Sequence, residues 1–164
     1  MFALISEIPF DLAFWLRPDQ VLHGQILEFH AQNVFFTLSI GFLTILCLDK
    51  IGAASHALIW RVVLSVLASC AGMVLAEYLR TDYGASGVLA IVIMYLFRRK
   101  QLLGTAMTCT VLTISNLFES SSYMILLPVK FYNGERGWNL KWLFYAFYPV
   151  HLLILGILCI ALGI

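Results

Sequence analysis

An all-α bundle of helices embedded in a lipid bilayer is the fold class this sequence predicts. Three observations predict it. First, 62% of the 164 residues are hydrophobic, 12% are charged, and the mean hydropathy is +0.92. Soluble domains carry about 45–50% apolar and about 25% charged residues, and a water-soluble chain of this length could not hide so much apolar surface in its interior. Second, the apolar residues gather in runs at about 2–16, 33–48, 57–79, 85–97, 101–117, 121–131 and 141–163, joined by short connections. Third, Lys and Arg are distributed unevenly. With the N-terminus inside and alternate crossings, Lys50, Arg61, Arg98, Arg99, Lys100, Lys130, Arg136 and Lys141 fall on the cytoplasmic side, and only Arg17 and Arg80 fall outside. Such asymmetry sets orientation in membranes. It supports seven crossings with the C-terminus outside. Reclassifying one short run as re-entrant lowers the count, so about six to seven membrane segments, in a single membrane-embedded domain over 1–164, are expected. The bilayer is the first expected partner. A net charge of +1 gives no reason to expect nucleic acid.

Each element has its own signal. The run at 2–16 carries Glu7, Pro9 and Asp11. It lacks the basic start of a signal peptide and is expected to be retained. Proline removes a backbone donor and clashes with the preceding turn, so a kink is expected there. Glu7 and Asp11 are four apart and share a helix face. Two carboxylates so close in low dielectric cannot both ionise cheaply. They either line a cavity or hydrate at the outer interface near Arg17. The connection 17–32 reads as an amphipathic turn or two at the interface. Asn33 is placed to cap the helix that follows.

Only the runs at 57–79 and 141–163 reach the ~20 residues that a helix needs to cross ~30 Å of hydrocarbon. Those at 85–97 and 121–131 are too short to cross alone. They either gain a turn from their flanks or form half-helices buried in protein. Glu77 is within reach of Arg80. In the run at 101–117 and its flank, Thr105, Thr108, Cys109, Asn116 and Glu119 form a polar stripe. It either binds neighbouring helices by hydrogen bonds or forms a cavity wall, with Asn116 and Glu119 as the participants. Cys47, Cys70, Cys109 and Cys159 are far apart in apolar runs and read as buried free thiols. Their spacing supports neither a disulfide framework nor a metal site.

The last two signals concern chemistry. In KFYNGERGWNLK, residues 130–141, Asn133-Gly134 marks a turn. Gly137 permits close backbone approach or an unusual dihedral. Lys130, Arg136 and Lys141 surround that turn with charge that suits phosphates, or simply follow the positive-inside rule. His151 lies about ten residues into the final helix, about 15 Å deep, two residues after Pro149. A lone histidine there is either a structural hydrogen-bonder or a general base.

The ordered combination of FALISEIPFDLAF, NVFFTLSIGFL, YGASGVLAIVIMYLFR, FYNGERG and KWLFYAFYPVHLLIL resembles the TraX family. The resemblance spans essentially the whole chain. That family takes its name from a bacterial conjugal-transfer protein of the inner membrane that acetylates the N-terminus of pilin. The resemblance implies acetyl transfer from acetyl-CoA to an amine, with pilin or another protein as acceptor. It implies His151 as base, Glu7 or Asp11 to orient it or hold the ammonium, and Arg136, Lys130, Lys141 and Gly137 around the co-substrate. Members of the family usually begin with further helices, including an Asp-His-Ile-Gly motif and a Gly-Arg-Leu-Ala-Phe-Pro stretch; neither occurs here. If that Asp-His pair belongs to the active site, this chain alone is inactive. Two readings from other classes stay open: a small transporter or proton-coupled carrier, and a non-catalytic membrane scaffold.

Overall fold

The computed structural model describes Ile8, Phe10 and residues 32–54, 57–135 and 137–162, with the side chains of Cys159 and Ile160 excepted. Among them every regular element is helical. The order is α1 (Val34–Ala53), α2 (Leu58–Tyr78), α3 (Gly84–Leu96), α4 (Gln101–Ser115), a 3-10 helix (Leu117–Ile125), α5 (Leu126–Lys130) and α6 (Lys141–Leu162). The chain divides into two compact units. One joins Met1–Phe35 with Arg136–Ile164; the other is Phe36–Glu135.

Among the described residues, three helices are long and apolar enough to cross a membrane: Val34–Ala53, Leu58–Tyr78 and Lys141–Leu158. The first is longer than its apolar run. It continues through Asp49 and Lys50, because the Tyr95 hydroxyl donates to the Asp49 carboxylate and Lys50 sits in the last turn, where the helix dipole favours a cation. At its other end Asn33 caps as expected, its Oδ1 accepting the Phe35 N–H at 3.0 Å.

In the 36–135 unit, α3 packs against both α2 and α4. Lipid is as apolar as leucine, so nothing hydrophobic drives helices together inside a bilayer; close packing of small residues does. A Cβ on Gly41 would stand 2.3 Å from Ile91 Cδ1, one on Gly72 2.3 Å from Thr44 Oγ1, and one on Gly87 2.6 Å from Thr37 Cγ2. Around these contacts lie Ile40, Leu48, Ala76, Val88 and Val92, all buried. Phe42, Ile59, Trp60, Leu67 and Val74 point outward and are exposed. An apolar surface of this extent fits lipid rather than water. Cys47 and Cys70 belong to this outer surface, contrary to the expectation of buried thiols, and Cys109 alone of the described thiols is buried.

The polar stripe on α4 splits its roles. Thr108 Oγ1 donates to the Ala90 carbonyl of α3 at 3.3 Å, and Cys109 Sγ reaches the Ser122 carbonyl at 3.4 Å. Asn116 ends α4 by turning to extended backbone, and its Oδ1 accepts the Phe118 N–H at 3.1 Å. The chain then runs back along α4, with Thr110 Oγ1 2.8 Å from the Tyr123 hydroxyl. The run at 121–131, too short for an α-helix to cross, is thus shared between the end of the 3-10 helix and α5. At about 2.0 Å per residue for the 3-10 helix from Leu117 and about 1.5 Å for α5, the two together reach about 25 Å.

Candidate functional site

In the unit holding both chain ends, α6 carries Pro149 inside the helix. Proline has no N–H, so the carbonyl one turn earlier, on Tyr145, loses its helical donor. His151 follows at the middle of this 22-residue helix. Its Nδ1 lies 2.9 Å from the Phe147 carbonyl oxygen. A carbonyl only accepts, so Nδ1 carries the proton and the lone pair of the neutral ring sits on Nε2. The ring stacks on Phe147, with centroids 5.0 Å apart and planes 16° apart. Tyr148 meets it edge-on at 5.6 Å and is itself braced by Phe35 at 5.0 Å. The histidine is half-buried and held in one orientation, with its basic nitrogen defined.

Of the other expected site residues, Glu7, Asp11 and Arg136 lie outside the described residues. Lys130 closes α5 and Lys141 opens α6; both are exposed. Lys141 Nζ stands 5.9 Å from the centre of the Tyr145 ring. The turn at Asn133-Gly134 forms as expected. Gly134 has φ +81, the left-handed region that favours glycine. Asn133 Oδ1 accepts the Glu135 N–H at 3.0 Å, and the Tyr132 hydroxyl donates to the Glu135 carbonyl at 3.1 Å. A Cβ on Gly137 would meet nothing within 4 Å, so no described protein neighbour demands a glycine there. The conformational demand falls on Gly134.

The 36–135 unit holds a polar cavity that the sequence did not announce as a whole. The chain reverses tightly between α2 and α3, with Arg80 at φ 51 and Gly84 at φ +48. Glu77 turns to the start of α3 rather than to Arg80, and its Oε2 accepts the Ala85 N–H at 3.1 Å. A carboxylate there meets the positive end of the helix dipole. A Cβ on Gly84 would stand 2.6 Å from that same oxygen, so glycine is required twice over. Beside this turn, Asp82, Tyr83, Ser86, Ser115, Asn116 and Glu119 line a cavity of about 310 Å³. The Tyr83 hydroxyl donates to Glu119 Oε1 at 3.3 Å. A second cavity of about 510 Å³ shares Asp82, Tyr83, Ser86 and Ser115 and extends to Glu77 and Arg80. The stripe expectation found Asn116 and Glu119. Asp82 and Tyr83 were missed, and their only local signal was a polar Asp-Tyr-Gly turn before an apolar run.

Burial pushes the Asp82 carboxyl above the ordinary carboxylate range, and the charge of Glu119 adds to the push. Burial also raises the Tyr83 phenol, followed by Glu119 and Asp82. For Asp82 the sign is definite. The folded chain holds this proton more tightly than the unfolded chain, so stability falls as pH rises from 3.8 through the raised value and is flat above it. Melting temperature in detergent is therefore expected to rise on acidification from pH 7 toward pH ~4, other groups apart. Asp82→Asn should raise stability at neutral pH and flatten that slope. An unchanged slope in the variant would assign the pH response to another group.

A model of the TraX family, described as TraX protein, matches residues 1–159 of the chain. No curated protein and no solved structure matches.

Proposed function

The chain belongs to the TraX family, and on that premise we propose that it is a conjugation-related enzyme of the bacterial cytoplasmic membrane that transfers acetyl from acetyl-CoA to an amine, such as the N-terminus of pilin. The observation that carries this reading is the state of His151. It sits at mid-helix with Nδ1 committed to the Phe147 carbonyl, and its basic Nε2 is the nitrogen able to take a proton. The amine gives its proton to Nε2 and its nitrogen attacks the thioester carbon. The carbon–sulfur bond then breaks, and the departing thiolate takes the proton back. Each step conserves atoms and charge, and no enzyme nucleophile enters.

Because Phe147 already orients the histidine, Glu7 and Asp11 are left the other task, holding the ammonium, which gives one proton to water before the neutral amine enters that sequence. At the opposite end of the chemistry, Lys141 sits on the first turn of α6, the end where the helix dipole disfavours a cation. A cation at a helix N-terminus suits phosphate, and Lys130 and Arg136 are the other two cations that flank the turn in sequence. In the proposed reading these groups hold the phosphates of acetyl-CoA.

Purified protein in detergent should pass labelled acetyl from acetyl-CoA to a pilin-like N-terminal peptide. Arg136→Ala should raise the KM for acetyl-CoA about tenfold, the loss of one charge-assisted phosphate contact, and leave the KM for the peptide near its original value. Equal losses for both substrates would point to general misfolding. Absence of transfer combined with proton-driven flux in liposomes would favour the carrier reading.

A further inference from the structure

The opposite end of the 36–135 unit, where α1 ends, α2 begins and α3 ends, carries Lys50, Arg61, Arg98, Arg99 and Lys100. It contains a cavity of about 480 Å³, within the size range of ligand pockets. Two kinds of wall meet there. Leu48, Leu58, Val62, Val66 and Leu96 make the greater part apolar, and Arg61 and Arg98 supply two guanidinium groups. We propose that this cavity holds one anionic phospholipid, with its phosphate on Arg61 and Arg98 and an acyl chain along the apolar wall.

Charge and hydrophobicity argue for that occupant together. A soluble anion would satisfy the arginines and leave the hydrocarbon wall facing it; a neutral lipid would do the reverse. An anionic lipid satisfies both, and basic pockets between membrane helices are known to take such headgroups. Leu58, Val62, Val66 and Leu96 are also exposed on the outer surface, so an acyl chain reaches them directly from the bilayer. The cations are set in advance. Arg98 Nη1 donates to the Tyr95 carbonyl at 3.1 Å, and its guanidinium lies 4.4 Å over the Tyr95 ring. That fixes a planar fork which would otherwise lose freedom on binding. Arg61 reaches back to the end of α1, its Nη2 3.9 Å from the position a Cβ on Gly52 would take. The Asp49 carboxylate accepts the Tyr95 hydroxyl.

The test uses the whole chain in mild detergent and follows melting temperature against added phosphatidylglycerol, phosphatidylcholine or inorganic phosphate. Phosphatidylglycerol is expected to raise it saturably and the other two to leave it unchanged. Arg61→Gln and Arg98→Gln should each weaken the apparent affinity about fivefold. Arg99→Gln and Lys100→Gln, at the same end but outside the cavity wall, should not. Val62→Trp keeps both arginines, fills the apolar wall, and should abolish the response. Equal stabilisation by phosphatidylcholine overturns the proposal in favour of general lipid solvation. An equal response to phosphate overturns it in favour of a soluble-anion site. Equal weakening by Arg99→Gln overturns it in favour of diffuse charge. If an arginine variant fails to fold, Val62→Trp decides alone, and an undiminished response in it sinks the lipid.

Discussion

Replacing His151 with alanine is expected to cut acetyl transfer by about 10²–10⁴-fold, the range lost with a positioned general base. The measurement applies to this chain or to a longer family member that carries the same Pro-Val-His stretch. The protein should remain in the membrane, because α6 keeps its length and its apolar surface. Loss of activity alone does not separate chemistry from support, since the same ring bonds Phe147 and stacks on it. His151→Asn separates them. The asparagine amide nitrogen falls close to where Nδ1 sits and still donates to the Phe147 carbonyl, yet nothing in it takes a proton at neutral pH. The asparagine variant should therefore recover the thermal stability of the parent while transfer stays as low as in alanine. Transfer restored by asparagine would make the histidine a structural brace beside Pro149 and remove it from the chemistry.

What the sequence made legible follows the range of the interactions concerned. Asn33 was readable as a cap because its partner is two residues away. Helices α2 and α6 were readable because an unbroken apolar run of crossing length leaves the backbone few choices in lipid. The last turn of α1 was not, because Asp49 and Lys50 look like the start of a loop until Tyr95, 46 residues on, supplies a hydroxyl. The 3-10 path of Leu117–Ile125 was hidden for a similar reason. Three serines, residues 120–122, interrupt its apolar residues, and Ser122 and Tyr123 find their partners on α4. The polar cavity was half-visible. Glu119 stood out on its stripe, whereas its meeting with Tyr83 spans 36 residues and belongs to tertiary packing. At Asn133-Gly134 the turn was legible because the asparagine bonds its own neighbour. The neighbouring glycine, Gly137, looked equivalent in sequence and is not.

Gly72→Ala should destabilise the protein by about 1–3 kcal/mol, the usual cost of overpacking a tight interior by one methyl group. The new Cβ would stand 2.3 Å from Thr44 Oγ1 and 3.4 Å from Val88 Cγ1. A flexible side-chain tip could swing aside, but Thr44 cannot do so cheaply. It is 5% exposed, its β-branched side chain has few open rotamers in a helix, and its Oγ1 donates to the Ile40 carbonyl at 2.9 Å. The strain must therefore part α2 from α1, where close approach rather than hydrophobic drive holds the helices together. If that is the cause, shortening Thr44 relieves it. Thr44→Ala alone should cost little, since the Ile40 carbonyl keeps its helical N–H donor. The double variant Gly72→Ala/Thr44→Ala should be more stable than Gly72→Ala alone, a coupling that only touching residues show. Denaturation in mixed detergent measures all four proteins. A double variant as unstable as the sum of its parts would place the clash elsewhere, with Val88 the remaining neighbour. The helix contact would then be set by α3 rather than by α1.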